Sequence, residues 1–254
     1  MAANEGAPVV CARGERGRWS RRALAVVAIV ALWGSMVPTS AAAAVSPGNL
    51  AGWGRNDAGQ FGDGTTTDRL APTQIGFDDD WTDISAGLNH SCGIRNGGEL
   101  YCWGSNFFGQ LGDGTNTGQI VPNLVGAFDD WIAVAVGAFH TCGIRFGGDL
   151  YCWGSNAGGR IGDGTTTDRL MPVQVGADFT AITAGGSHTC GIQMGELWCW
   201  GQNTQGELGD GTDKDRFSPT RVDEQTDWSS VSAGNRHTCG IAATKLLCLS
   251  LIHI

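Results

Sequence analysis

The feature that most restricts this chain is a unit of about fifty residues repeated four times. The pair Trp-Gly recurs at Trp53, Trp103, Trp153 and Trp200, with spacings of 50, 50 and 47 residues. Gly-Asp-Gly-Thr follows each pair, with its Asp at 63, 113, 163 and 210. A bulky aromatic comes next, at Trp81, Trp131, Phe179 and Trp228, and then His90, His140, His188 and His237, each two residues before a Cys. A second Cys closes every unit, at 102, 152, 199 and 248. One such unit cannot bury an apolar face alone, so it is built to stack on copies of itself.

Each unit reads as strands. Ile132, Val134 and Val136 alternate, with Thr180, Ile182 and Ala184 at the matching places of the next unit. A turn at Ala-Gly, a strand His-x-Cys-Gly-Ile, a tight turn and a strand Leu-x-Cys-Trp-Gly follow. A long loop then runs through Asn-x-x-Gly-x-x-Gly-Asp-Gly-Thr, and segments such as Ala71–Ile75, carrying Pro72, suit an outer edge strand. Gly supplies 41 of 254 residues, a density that marks many tight turns. No helical periodicity exists after residue 45. Three or four antiparallel strands per unit is the pattern of a propeller blade, and the chain is expected to be all-β.

Ile-x-Ala-Gly-x-x-His-x-Cys-Gly-Ile, Leu-Tyr-Cys-Trp-Gly-x-Asn and Gly-Gln-Leu-Gly-Asp-Gly-Thr resemble the regulator-of-chromosome-condensation repeat, over about Leu50 to Cys248. The resemblance implies a β-propeller, normally of seven blades, of which about four are present. The founding member binds chromatin and promotes nucleotide exchange on a small GTPase. A secreted bacterial propeller of the same kind inhibits β-lactamases and is the nearer functional analogy.

The boundaries expected are a leader over 1–44, repeats over about 53–102, 103–152, 153–199 and 200–248, and a tail over 249–254. Arg13, Arg16, Arg18, Arg21 and Arg22 precede the apolar run Ala23–Trp33 and the small stretch Ser40–Ala44, which together read as a secretory signal peptide. Eleven apolar residues are too few to span a bilayer, which takes roughly 20. Leu50–Gly54 aligns with Leu100–Gly104 and so reads as the last strand of a blade whose earlier strands must come from the far C-terminus, while Leu246-Leu247-Cys248 fills the same place again. A shortened propeller is therefore expected. The tail Leu249–Ile254 replaces Trp-Gly and resembles the translation of a synthetic sequencing adapter.

The cysteines pair by register as Cys92–Cys102, Cys142–Cys152, Cys190–Cys199 and Cys239–Cys248, with Cys11 left in the leader. Asn96-Gly97-Gly98 forms the first turn; the third and fourth units lose a turn residue, yet each Cys still faces its mate. Directly opposed residues lie close enough for a disulfide, which an oxidising compartment favours. The alternative is a metal held by His90, Cys92 and Cys102, whose side chains share a strand face, but it needs a fourth ligand in every blade.

The four His stand at equivalent places and form a ring at one end of the propeller, either meeting a partner or sensing pH, or each bonding a neighbouring turn. The Asp63–Asp68 loop and its copies lack the dense carboxylates and final Glu of a calcium loop. The repeated Trp suit packing. No nucleophile elbow, phosphate loop or His-Glu-x-x-His occurs, and no cofactor is implied. After loss of the leader, 11 Lys and Arg face 23 Asp and Glu, without a basic cluster, which argues against nucleic acid. The expected function is non-catalytic: an extracytoplasmic propeller that binds a protein or cell-surface ligand. The alternatives are a β-lactamase-inhibitor-like protein and a module of a larger extracellular enzyme.

Overall fold

The computed structural model describes residues 10–11 and 48–249. The expected leader, apart from Val10–Cys11, and the tail beyond Leu249 lie outside the described residues. Nearly everything described is strand and tight turn, arranged as antiparallel sheets that follow one another along the chain.

Three sheets are complete four-stranded blades. The first comprises β4 (Trp81–Ala86), β5 (His90–Arg95), β6 (Leu100–Gly104) and β7 (Gln119–Leu124). The second comprises β8 (Trp131–Val136), β9 (His140–Arg145), β10 (Leu150–Gly154) and β11 (Arg169–Gly176). The third comprises β12 (Phe179–Ala184), β13 (His188–Gln193), β14 (Glu196–Gly201) and β15 (Arg216–Arg221). Before them, β2 (Leu50–Gly54) pairs with β3 (Arg69–Ile75), the two outer strands of a blade, and the two-residue β1 (Val10–Cys11) lies on the other side of β2. After them, β16 (Trp228–Ala233), β17 (Thr238–Ala242) and β18 (Lys245–Leu249) supply three inner strands. The fifty-residue period counted from Trp-Gly therefore straddles two sheets, because that pair ends a third strand rather than a blade.

Local chemistry explains the strand order. Every fourth strand carries a Pro (Pro72, Pro122, Pro172, Pro219), which cannot donate to a ladder and is tolerated only at the outer edge. The third-unit turn is the two-residue Met194-Gly195, with φ of 50° and 80°, the left-handed pair that matches strand twist. Each disulfide joins residues directly opposed across the second and third strands, with Cα atoms 4.0–4.1 Å apart.

The apolar core lies between blades rather than inside one. Cys92, Ile94, Leu100 and Cys102 of the first complete blade pack against Trp131, Val134 and Trp153 of the second. The same layer recurs with Ile144, Leu150, Phe179 and Trp200, and again with Ile192, Leu197 and Trp228. Trp103, Trp153 and Trp200 are fully buried, each contributing about 1.5–3 kcal/mol or more by area removed from water. Trp53, at the start of the arc, is half-buried.

Candidate binding surface

The antiparallel order gives the arc two ends. At the upper end lie the turns before each His and the long Gly-Asp-Gly-Thr loops; at the lower end lie the turns between second and third strands and the links from blade to blade. The sequence-singled residues cluster near the upper end, where most of them hold blade to blade.

His90 Nε2 meets Thr141 Oγ1 of the next blade at 2.9 Å, His140 meets Thr189 at 2.8 Å, and His188 meets Thr238 at 2.9 Å. Each Thr hydroxyl donates its own proton to a loop carbonyl of the preceding blade, that of Gln110, Arg160 or Glu207, at 2.8 Å. The Thr oxygen is thereby an acceptor toward the His, which fixes each imidazole as the neutral Nε2–H tautomer. The Gln60 and Gln110 carbonyls also accept the indole N–H of Trp103 and Trp153, at 2.9 and 3.0 Å. The His partner is thus a strand hydroxyl one blade on, not a neighbouring turn.

Burial settles how these rings behave in water. It pushes the His90 imidazole down to about 3 and His188, assisted by His237 and Arg160, down to about 4; His140 is likewise held well below the usual range by burial and by Arg160. The three rings stay neutral at physiological pH, which removes them as sensors there. His237, whose next-blade neighbour would lie beyond β18, is exposed.

The acidic loops are closed knots. Asn56, fully buried, accepts the Phe61 N–H at its Oδ1 and donates from Nδ2 to the carbonyls of Thr65 and Thr67. Asp63 Oδ1 accepts the Thr65 N–H and hydroxyl, and its other oxygen pairs with Arg69 at 2.9 Å. Asn106, Asn156 and Asn203 repeat the arrangement; Arg169 and Arg216 repeat the ion pair, and Asn123 replaces it at Asp113. Burial opposes ionisation of Asp63, Asp163 and Asp210, but the Thr and Arg hydrogen bonds outweigh it and hold these carboxyls below their ordinary range. The same oxygens that calcium would take are occupied by Thr and Arg. Among the described residues no group of three or more His, Cys, Asp or Glu converges on a metal position.

What the repeat does not account for is apolar and exposed. The loop position held by Asp57-Ala58, Ala157-Gly158 and Thr204-Gln205 in three units is Phe107-Phe108 in the fourth. Phe107 is 80% exposed. Phe108 stacks edge-to-face on Phe139, centroids 5.6 Å apart, and Phe139 stands where the other units have Asn89, Ser187 and Arg236. Phe107 also borders a cleft of about 430 Å³ together with Arg55, Asp57, Asn89, Asn116 and Ile120. The other units fold with small or polar residues at these places, so the aromatic side chains are not needed to close the loop. Aligning the units and subtracting what they share would have exposed this patch in the sequence.

Models of the regulator of chromosome condensation (RCC1) repeat match residues 47–94, 97–144, 147–192 and 194–241, and a second model so described matches 81–110 and 131–160. No individual curated protein sequence matches significantly. Human WBSCR16 is similar in structure, with 24% identity and a TM-score of 0.70 over 78% of this chain and 54% of that one. Prp20p from Saccharomyces cerevisiae, described with its binding properties to Gsp1p and histones, gives 21% and 0.68 over 78% and 52%. The ectodomain of the Physcomitrella patens receptor kinase CR4 gives 25% and 0.51 over 82% and 48%. The chain spans about half the length of these structures.

Proposed function

The chain belongs to the regulator of chromosome condensation (RCC1) repeat family, and we propose that it is an exported, non-catalytic propeller that binds a protein or cell-surface ligand through its upper end. The observation that carries this reading is the aromatic patch of Phe107, Phe108 and Phe139, set on loops that the rest of the scaffold holds rigid. Exposed aromatic side chains beside a polar rim are the anchors that interfaces favour, because they bury large area at little entropic cost. Family members bind partners: Prp20p is described with Gsp1p and histones, and yeast RCC1 with Kap60.

Export is supported by the basic, apolar and small-residue order of 1–44 and by four disulfides, which persist in oxidising compartments. No helix among the described residues is long and apolar enough to cross a membrane. The reading as non-catalytic is supported by the commitment of reactive groups: eight thiols are bridged and three imidazoles hold blades together.

A photo-crosslinking amino acid at position 107 of the exported chain, irradiated on producing cells, tests the site. It is expected to yield a saturable adduct of discrete mass, lost on Phe139→Ser; the same probe at Leu124, an exposed outer-strand position, yields none. Equal labelling from both positions removes the basis for the assignment.

A further inference from the structure

The lower end differs from the upper in charge. Its turns and links, together with the strand-end residues that adjoin them, hold twelve carboxylates against four cations, a balance of −8, whereas the upper loops counted in the same way hold ten against seven. Asp78, Asp79 and Asp129 are exposed there. Carboxylates alone make a solvated rim, but this rim encloses apolar surface. Between the first two complete blades a cleft of about 430 Å³ is lined by Trp131, Ile132 and Phe146, with Arg95 and Asp130 at its edge. Phe146 is 79% and Ile132 56% exposed, and Phe77, on the neighbouring link, lies almost fully in solvent.

Two details separate this cleft from its copies. Phe146 occupies a turn position where the other units carry Asn96, Met194 and Ala243, and the turn needs no aromatic ring there. Trp131 is buried with its indole N–H unpartnered, whereas the equivalent Trp228 donates to Asp223 at 3.1 Å; five residues before Trp131 stands Gly126, which offers no side-chain acceptor. Arg95 is held by Asp78 and Asp80 and Arg145 by Asp130, which leaves the exposed Asp79 and Asp129 to carry the excess negative charge beside the cleft.

We infer that the lower end is a second docking surface, for a protein segment that carries Lys or Arg beside a large apolar side chain. The apolar side chain enters the cleft against Phe146 and Ile132, and the cations face Asp79, Asp129 and their neighbours. Opposite charge gives the occupant its sign and speeds encounter, while the cleft gives it a reason to stay. An anionic or purely polar segment gains neither.

The test uses the full exported chain and three labelled synthetic peptides of about twelve residues, alternating Lys with Leu, Lys with Ser, or Glu with Leu. Binding is read by fluorescence anisotropy at about 20 mM and about 300 mM salt, which spans strong and weak screening. The Lys–Leu peptide is expected to bind most tightly, and about tenfold more weakly at the higher salt. Asp79→Asn with Asp129→Asn is expected to weaken it about fivefold. Phe146→Ser is expected to make the Lys–Leu and Lys–Ser peptides equal. All three substitutions lie at exposed positions, so folding persists. Phe107→Ser at the opposite end leaves these affinities unchanged, so this site stands or falls apart from the upper one. Equal binding of the Glu–Leu peptide, equal binding of Lys–Ser to the unaltered chain, or no binding of any peptide overturns the inference.

Discussion

Acidification should unfold this protein through its histidines before its carboxylates. An unfolded imidazole takes up a proton near pH 6.5, whereas folded His90 does so only at about 3 and His188 at about 4. Between those values the unfolded state binds more protons than the folded one, so stability falls as pH drops from about 6.5 toward 3. At pH 5 each ring costs about 2 kcal/mol by this linkage, against almost nothing at pH 7. His140 shifts in the same direction, and His90 and His188 alone remove on the order of 4 kcal/mol, a large part of the 5–15 kcal/mol that domains possess. The assay is urea unfolding followed by Trp fluorescence at pH 7, 6 and 5, with the disulfides intact. His140→Gln is expected to lower stability at pH 7 and to remove part of the loss between pH 7 and 5. Carboxylates such as Asp63, held below their usual range, release their contribution only below about pH 4. A midpoint unchanged from pH 7 to 5, falling only below 4, would refute the assignment of neutral buried imidazoles to the blade contacts.

Gly137→Ala is expected to destabilise by about 2–3 kcal/mol in the same assay, because its Cβ would stand 2.5 Å from the Gly185 carbonyl and from the His140 ring. Gly126→Ala, also in a turn but with open space around it, should cost only about 1 kcal/mol from its φ of 63°. Asn156→Ala removes the centre of a loop knot and leaves the Ile161 N–H without its acceptor, so it should cost about 2–3 kcal/mol and make the loop over 156–168 the first site of limited proteolysis. Replacing Cys142 and Cys152 together by Ala should cost about 3 kcal/mol, given a sequence separation of 10.

The sequence revealed the blade and its register more fully than the contacts between blades. Opposed cysteines were legible because a deletion confined to the Met194-Gly195 turn keeps Cys190 facing Cys199, and edge strands were legible because Pro219 and its equivalents admit no other place. The partner of each His was not. A fifty-residue period shows that His90 and Thr141 recur in step, but it does not show that the second sits against the first across a blade boundary. The signal existed: the residue between His and Cys is Ser91, Thr141, Thr189 or Thr238, always a hydroxyl, where a strand position facing only apolar neighbours would accept Val. The aromatic patch was hidden for the opposite reason. Attention to what the units share conceals Phe107 and Phe108, which matter because they are not shared.

Peptide mapping of the exported, unreduced protein by mass spectrometry tests the stapled, exported propeller most directly. Four bridges confined to single blades, Cys92–Cys102, Cys142–Cys152, Cys190–Cys199 and Cys239–Cys248, with no free thiol among these eight residues, are the expected result. Alkylatable thiols at these positions, or bridges running from one blade to another, would contradict it.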